Sequence, residues 1–317
     1  LNGDGRPDLV TANIYSNDVS VLLGNGDGSF QSQRRFAAGN RPYSVTMGDL
    51  NGDGRPDLVT ANNSSDVSVL LGIGDGSFLD QRPFPTGVYP SSVAMGDLNG
   101  DGRPDLVTAN MNSDDVSVLL GNGDGTFQSQ RRFATGNRPY SVTMGDLDRD
   151  GRPDLVTANN SSDVSVLLGN GDGSFLEQRR FSVGNAPRSV AMGDLNGDGR
   201  PDLVTANIYS NDVSVLLGNG DGSFLDELYF PAGDGPVSVA MGDVNGDDRP
   251  DLVTANNYSD DVSVLLSNGD GSFLDQLRFP AGYSPSSVAM GDLNGDGRPD
   301  LVTANEDTDD VSVLLHK

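Results

Sequence analysis

The sequence predicts an all-β chain: a seven-bladed β-propeller of four-stranded antiparallel blades whose terminal blades are incomplete. Three observations carry this reading. A unit of 48–49 residues repeats through the whole of the 317-residue chain, each unit holds four short strand-like segments, and 42 glycines with 17 prolines supply turns between them.

The repeat is the firmest of the three. Gly-Asp-Leu-Asn-Gly-Asp-Gly-Arg-Pro-Asp-Leu-Val-Thr-Ala-Asn recurs almost unchanged from Gly48, Gly96, Gly193 and Gly291. Variants start at Gly145 and Gly242, and Leu1 stands inside a further copy. Measured on the leading aspartate, the steps from Asp49 to Asp97, Asp146, Asp194, Asp243 and Asp292 are 48, 49, 48, 49 and 49 residues. Residues 1–317 therefore read as one domain built from seven repeats.

Taking the unit around Asp49 in order, the first strand is expected over Ser44–Leu50, the second over Asp57–Asn62 and the third over Asp66–Leu71. The fourth, around Phe78–Phe84, has Pro83 and Pro85 beside it and suits a sheet edge. No segment sustains a helical period. Two other calcium-loop architectures fail on spacing: an RTX-type β-roll needs a nonapeptide period, and an EF-hand needs flanking helices. The second and third strands occur seven times, the first and fourth six times each. Seven blades with a three-stranded blade at each end follow; six blades with a spare C-terminal hairpin is the alternative.

Composition excludes several functions. A net charge of −26 argues against nucleic acid and anionic membrane as partners. No apolar run is long enough to insert in a bilayer. Cysteine and tryptophan are absent and His316 is the one histidine, which excludes disulfides, thiolate zinc, a cysteine nucleophile and most histidine-based catalysis. The chain starts at Leu1 without a signal peptide and is expected to be a mature or trimmed piece. The acids are lopsided, with 43 aspartates against only Glu177, Glu227 and Glu306. Aspartate is the short acid favoured in turns and oxygen-ligand metal loops.

Those aspartates concentrate between the first and second strands. Asp49, Asn51, Asp53 and Asp57 stand at positions 1, 3, 5 and 9 of a nine-residue loop, with Gly54 at 6 and the Arg55 carbonyl at 7. This is the ligand order of a calcium loop, with Asp57 closing the shell where an EF-hand would use a glutamate at 12. The remaining copies offer Asp97, Asn99, Asp101, Arg103 and Asp105; then Asp146, Asp148, Asp150, Arg152 and Asp154; then Asp194, Asn196, Asp198, Arg200 and Asp202. Next come Asp243, Asn245, Asp247, Arg249 and Asp251, and finally Asp292, Asn294, Asp296, Arg298 and Asp300. The first copy has Asn2, Asp4, Arg6 and Asp8 but no residue at position 1. A bare turn would explain Asn-Gly and Asp-Gly, but a turn needs no carboxylate at position 9. Copy four carries Arg149 for glycine, and copy six carries Asp248 where a positive φ is expected.

These units resemble FG-GAP/VCBS repeats, the calcium-binding blades of integrin α-subunit propellers and many secreted bacterial proteins. The family pattern Asp-x-Asp/Asn-x-Asp-Gly-x-x-Asp falls on Asp49, Asn51, Asp53, Gly54 and Asp57, and likewise in the other copies. Thr60-Ala61-Asn62 stands where the FG-GAP name has Gly-Ala-Pro, which makes the VCBS branch the nearer likeness. The resemblance implies one Ca²⁺ per intact loop (six or seven in all) and an extracellular, secreted module with an adhesive or scaffolding role.

Three further features recur along the chain. Gly24-Asn25-Gly26-Asp27-Gly28-Ser29-Phe30 and its copies read as hairpin turns, not as a second metal loop. Met47, Met95, Met144, Met192, Met241 and Met290 read as packing between blades. In a meander the calcium loops and these turns share one end, and the loops at the other end vary between copies. Tyr15, Tyr43, Tyr89, Tyr140, Tyr209, Tyr258 and Tyr283 fall at that variable end, where a protein or glycan partner is expected. A lectin-like propeller is the alternative to a binding scaffold. An enzyme is not expected, since near-identical blades offer no asymmetric acid–base site.

Overall fold

The structure, a computed structural model, describes residues 1–316. Its 26 described strands form seven antiparallel sheets in chain order. Blade one holds β1 (Leu9–Asn13), β2 (Asp18–Leu22) and β3 (Arg34–Ala37). Blade two holds β4 (Pro42–Gly48), β5 (Asp57–Asn62), β6 (Asp66–Leu70) and β7 (Arg82–Pro85). Blade three holds β8 (Pro90–Gly96), β9 (Asp105–Asn110), β10 (Asp115–Leu119) and β11 (Arg131–Ala134). Blade four holds β12 (Pro139–Gly145), β13 (Asp154–Asn159), β14 (Asp163–Leu167) and β15 (Arg179–Ser182). Blade five holds β16 (Pro187–Gly193), β17 (Asp202–Asn207), β18 (Asp212–Leu216) and β19 (Leu228–Pro231). Blade six holds β20 (Pro236–Gly242), β21 (Asp251–Asn256), β22 (Asp261–Leu265) and β23 (Leu277–Pro280). Blade seven holds β24 (Pro285–Gly291), β25 (Asp300–Asn305) and β26 (Asp310–Leu314). The seven-bladed propeller with three-stranded first and last blades is therefore the observed fold, and the six-bladed alternative falls away. No helix, and so none long and apolar enough to cross a membrane, occurs among the described residues.

Three strands differ from the sequence reading, the third only in ending at Leu70 and not Leu71. The first strand runs Pro42–Gly48, not Ser44–Leu50, because the Leu50 N–H turns away from the ladder to donate to Asp57 at 2.9 Å. It starts earlier because a bulge between Pro42 and Ser44 absorbs one extra residue while pairing with β5 continues. The fourth strand is confined to Arg82–Pro85. Phe78 makes only a single bridge to Gly72, and the chain leaves the ladder between the two.

By its internal contacts the chain divides into two units, Leu1–Met144 with Arg152–Thr157 and Leu167–Gln178, and Gly145–Gly151 with Ala158–Val166 and Arg179–Lys317. The core repeats in each. In the first, the strand-two and strand-three side chains Val59, Ala61, Val67 and Val69 are fully buried, as are Val107, Ala109, Val116 and Val118. In the second, Val204, Ala206, Val213 and Val215 do the same, followed by Val253, Ala255 and Val262. Strands buried on both faces explain why Asp-Leu-Val-Thr-Ala-Asn barely changes between copies.

Neighbouring blades meet through methionine and phenylalanine. A Cβ on Gly48 would stand 2.6 Å from the Met95 sulfur, and one on Gly96 2.5 Å from that of Met144, so these methionines fill the space the preceding blade's glycine leaves, as do Met192, Met241 and Met290. Met47, expected to pack in the same way, is 48% exposed, since the blade before it has no first strand among the described residues. The fourth-strand phenylalanine of one blade stands edge-on to the next blade's turn phenylalanine. Phe36–Phe78 and Phe181–Phe224 have ring centroids 5.2 and 5.0 Å apart.

A buried polar network lies inside each sheet. Asn110, fully buried, accepts from the Thr108 hydroxyl at 2.9 Å and donates to Asp115 and to Ser117 Oγ, both at 2.8 Å. Ser117 in turn donates to Gln130 at 2.6 Å. The bonds from threonine to asparagine and from asparagine to aspartate and serine recur around Asn62, Asn207, Asn256 and Asn305, and the last link recurs as Ser263 to Gln276.

Candidate functional site

The loop joining the first and second strands is wound by its own side chains. Asp49 accepts backbone N–H groups from Gly52 (2.8 Å), Asp53 (3.2 Å) and Gly54 (2.8 Å). Asn51 Oδ1 accepts from the Asp53 N–H at 3.0 Å, and Asp53 Oδ1 from the Arg55 N–H at 2.9 Å. Gly52 and Gly54 sit at φ +75° and +77°, where a side chain would be strained. Three short polar side chains are thus held over one loop, each by backbone donors that use only part of a carbonyl or carboxylate oxygen's capacity. Burial opposes ionisation of Asp49, but the Gly54, Gly52 and Asp53 N–H groups together hold its carboxyl below the usual range.

The fourth side chain comes from underneath. Asp57 opens β5, is fully buried, and accepts the Leu50 N–H at 2.9 Å and the Gly72 N–H at 2.7 Å. Burial pushes its carboxyl up; those two donors pull it back, and the negative charges of Asp53 and Asp49 push it up again. Asp105 responds in the same way to burial, Asp101 and Asp97, and Asp202 to burial, Asp198 and Asp194. A buried carboxylate facing two more carboxylates is a cation-seeking arrangement.

The copies reproduce this cradle with local differences. Asp97, Asp194 and Asp292 each collect three backbone N–H groups, those of Gly100, Gly197 and Gly295 at 2.8, 2.8 and 2.7 Å. Asn99, Asn196 and Asn294 donate to Asp101, Asp198 and Asp296 at 3.2 Å in each case. The Arg103, Arg200 and Arg298 N–H groups donate to those same aspartates at 2.9, 2.8 and 2.9 Å. Asp300, buried beneath its loop, holds the Leu293 N–H at 3.0 Å.

In copy four, carboxylate oxygens of Asp146 and Asp148 lie within 4.8 Å of one another. The Asp150 N–H donates to Asp146 at 3.0 Å. Arg149 takes the glycine's left-handed conformation at φ 64°. In copy six Asp248 does so at φ 65°, as its position required. There Asp243 and Asn245 accept the Asp247 N–H at 3.0 and 2.9 Å, and Asp251 accepts the Val244 N–H at 2.9 Å. Arg249 comes closer than its counterparts: its guanidinium pairs with Asp247 at 2.5 Å and competes for that carboxylate, against 3.7 Å for Arg200–Asp198 and 4.0 Å for Arg55–Asp53. In copy one, Asn2 and Asp4 are joined at 3.0 Å, the Arg6 N–H reaches Asp4 at 2.9 Å, and Asp8 pairs with the Leu1 ammonium at 2.6 Å.

The glycine-rich turns between third and fourth strands use their one carboxylate internally. Asp27 accepts the Ser29 hydroxyl at 2.6 Å and its N–H at 3.0 Å, which holds the Asp27 carboxyl below the usual range. These turns abut the acidic loops: the Arg55 side chain lies over Gly74, 3.2 Å from where a Cβ would be. At the other end of the blades the tyrosines fall into two groups. Tyr15, Tyr209, Tyr258 and Tyr283 are exposed. Tyr43, Tyr89 and Tyr140 are half-buried; the Tyr43 and Tyr89 rings are 5.2 Å apart with their hydroxyls in contact. Burial, then the Tyr43 hydroxyl, pushes the Tyr89 phenol up to about 12.

Comparison with known proteins follows the repeat. A family model described as an FG-GAP-like repeat matches residues 1–60, 49–108, 97–157, 146–205, 194–254 and 243–303. No curated protein sequence matches the chain. Among solved structures, BBS1N in complex with ARL6DN is similar at TM-score 0.67 and 15% identity over 99% of this chain and 89% of that one. A 6-phosphogluconolactonase candidate from Bacteroides fragilis NCTC 9343 reaches TM-score 0.72 at 15% identity, over 99% and 91% of the two chains. A streptogramin B lyase reaches 0.68 at 15%, over 97% and 89%. At such identities the likeness is one of fold.

Proposed function

We propose that this chain, which belongs to the FG-GAP-like repeat family, is a calcium-stabilised binding module of the extracellular space. The observation that carries the reading is the repeated cradle: a buried aspartate under a loop that presents two more carboxylates and a side-chain amide or third carboxylate. Ca²⁺ takes about six to eight hard oxygens, and Asp49, Asn51, Asp53, Asp57 and the Arg55 carbonyl form a donor set of that chemistry. Bound calcium would supply the positive charge that the buried carboxylates lack. The chain's own groups do the positioning: backbone N–H groups fix each carboxylate before any ion arrives.

Six loops have every position filled, and six divalent ions would bring the net charge from −26 to −14. Loops of three or four carboxylates suit dissociation constants of about 10⁻⁴–10⁻³ M, matched to the calcium levels met by extracellular modules. The variable end of the blades, with exposed Tyr15, Tyr209, Tyr258 and Tyr283, is the surface we assign to a protein partner. The complex of BBS1N with ARL6DN supports protein recognition by this fold, as analogy only. The lactonase and lyase likenesses carry no reaction to this chain, whose blades repeat one another too closely to set apart an acid and a base.

Chelation tests the metal. Six sites at about 1 mM calcium would add about 2.5–8.5 kcal/mol to the folded state. For a chain of this length that corresponds to a melting temperature about 4–13 °C higher than in chelator. An identical melt with and without chelator would refute the proposal.

A further inference from the structure

We propose that the outer rim of blades five and six, centred on Leu228 and Tyr229, is a docking surface for a protein segment carrying arginine beside apolar side chains. The inference deepens the reading of the chain as a binding module, but not its metal content, and it places a contact away from the variable loop end.

Six equivalent outer strands stand side by side for comparison within one molecule. Blades one, three and four open this strand with two arginines: Arg34-Arg35, Arg131-Arg132 and Arg179-Arg180. The first arginine reaches over to the next blade's turn, where Arg34, Arg131 and Arg179 donate to the Asp75, Asp172 and Asp221 carbonyls at 2.9, 3.1 and 3.2 Å. The second pairs with the aspartate that opens the third strand: Arg35 with Asp18 at 2.5 Å, Arg132 with Asp115, Arg180 with Asp163. Blade six keeps that second pair, Arg278 with Asp261. Blade two keeps the first arginine, Arg82, and has Pro83 in the second place.

Blade five has lost both. Tyr229 stands opposite Ser214 and Leu228 opposite Val215, the register that Arg35 and Arg34 occupy against Ser20 and Val21. Asp212 keeps its bonds from Asn207 and Ser210 to one oxygen, but no arginine faces the other. Glu227 replaces the glutamine of blades one, three and six, its carboxylate accepting from Ser214 at 2.5 Å. Two positive charges are thus exchanged for one negative charge and two apolar side chains.

The exchange is also exposed. Tyr229 is 72% and Leu225 55% accessible. Phe230 stands edge-on to Phe273 at 5.3 Å and so joins this rim to that of blade six, where Leu274 and Leu277 are exposed at 53% and 50%. Blades one and three carry Gln31 and Gln128 at the position of Leu225, and blades two and four the exposed Leu79 and Leu176, so it is Leu228 and Tyr229 that extend the apolar surface in blade five. A run of exposed apolar side chains bordered by Asp212, Asp226 and Glu227 fits a partner that brings apolar groups and its own guanidinium, which takes up the place the missing arginines have in the other blades. A second copy of this chain, itself at −26, is the poorer electrostatic match.

The test is fluorescence anisotropy with a dye-labelled peptide alternating arginine with leucine and phenylalanine, at physiological salt and fixed calcium. The full chain is used throughout, with its fold verified by circular dichroism in the same samples. The wild-type chain should bind this peptide and not its arginine-to-glutamate counterpart. L228R/Y229R restores the pattern of blades one, three and four and should fold; L228S/Y229S removes the apolar surface without adding charge. Both should weaken binding about tenfold or more. Equal binding of the glutamate peptide, unchanged binding by either folded variant, or no binding by wild type would overturn the proposal. So would concentration-dependent self-association that L228R/Y229R abolishes, which would assign the rim to a second copy. Because binding is read on a chain of verified fold, absence of calcium binding would sink the metal reading and leave this one standing.

Discussion

Replacing Asp105 by asparagine separates the two tasks of the buried aspartate. Asp105 is fully buried and accepts the Leu98 N–H at 2.9 Å and the Gly121 N–H at 2.7 Å. Asparagine keeps one acceptor oxygen and turns an amide towards the other donor, so one buried N–H loses its partner at a cost of about 1–3 kcal/mol. Against this, the variant removes a carboxyl that burial, Asp101 and Asp97 push up, and so relieves charge in the metal-free fold. Neither effect depends on calcium. The metal contribution does: with a dissociation constant of about 10⁻⁴–10⁻³ M, one site at about 10 mM calcium stabilises by about 1.4–2.7 kcal/mol. The gap between wild type and Asp105→Asn should therefore widen by about that amount between chelator and calcium. Urea unfolding followed by far-ultraviolet circular dichroism measures it. Asp124→Asn, in an exposed turn where Asp124 already holds Thr126, should show no such widening. A gap equal in both conditions, or equal widening in the two variants, refutes the assignment of Asp105 to a metal.

The sign of the pH dependence should itself depend on calcium. Burial raises Asp57, Asp105, Asp202 and Asp251, so the metal-free fold takes up protons more readily than the unfolded chain. Lowering the pH from about 7 to about 5 should then stabilise the protein in chelator, while aspartates held low by hydrogen bonds remain ionised in both states. With calcium present, protons compete for the same oxygens and the same acidification should destabilise; a fall in stability under both conditions would refute this. Asn110→Ala should cost about 2–4 kcal/mol, equally with and without calcium, because it strands Thr108, Asp115 and Ser117 in a dry sheet. Denaturant midpoints check it, and a calcium-dependent loss would place Asn110 in the metal's support instead.

Much of the fold was legible because repetition multiplies a weak signal. Asp-Leu-Val-Thr-Ala-Asn followed by Asp-Val-Ser-Val-Leu is short and unremarkable once, but seven spaced copies fix blade count and strand pairing together. Boundaries were less legible where the backbone does something local. The bulge at Pro42–Ser44 and the withdrawal of the Leu50 N–H by Asp57 are tertiary choices that alternation alone does not encode. The spacing of the acids in the loop was legible, but that Asp57 is buried beneath Asp49 and Asp53, whose charges raise its carboxyl, appears only in the fold. Three things were not foreseen. Thr-x-Asn reads as ordinary strand sequence, and its buried polar network appears only when Ser117 and Gln130 arrive from other strands. The closeness of the Arg249–Asp247 pair, 2.5 Å against 3.7 Å for Arg200–Asp198, sets copy six apart from loops with the same arginine. The exposed Leu228–Tyr229 rim is the third; the signal available for it was the loss of Arg-Arg at that register.

Equilibrium dialysis of the metal-free chain against calcium, with bound ion counted per chain, tests the central claim most directly. The account predicts saturation at about six ions, from the loops beginning at Asp49, Asp97, Asp146, Asp194, Asp243 and Asp292, with magnesium far weaker because it resists dehydration. No bound calcium at about 10 mM, or equal uptake of magnesium, would contradict it.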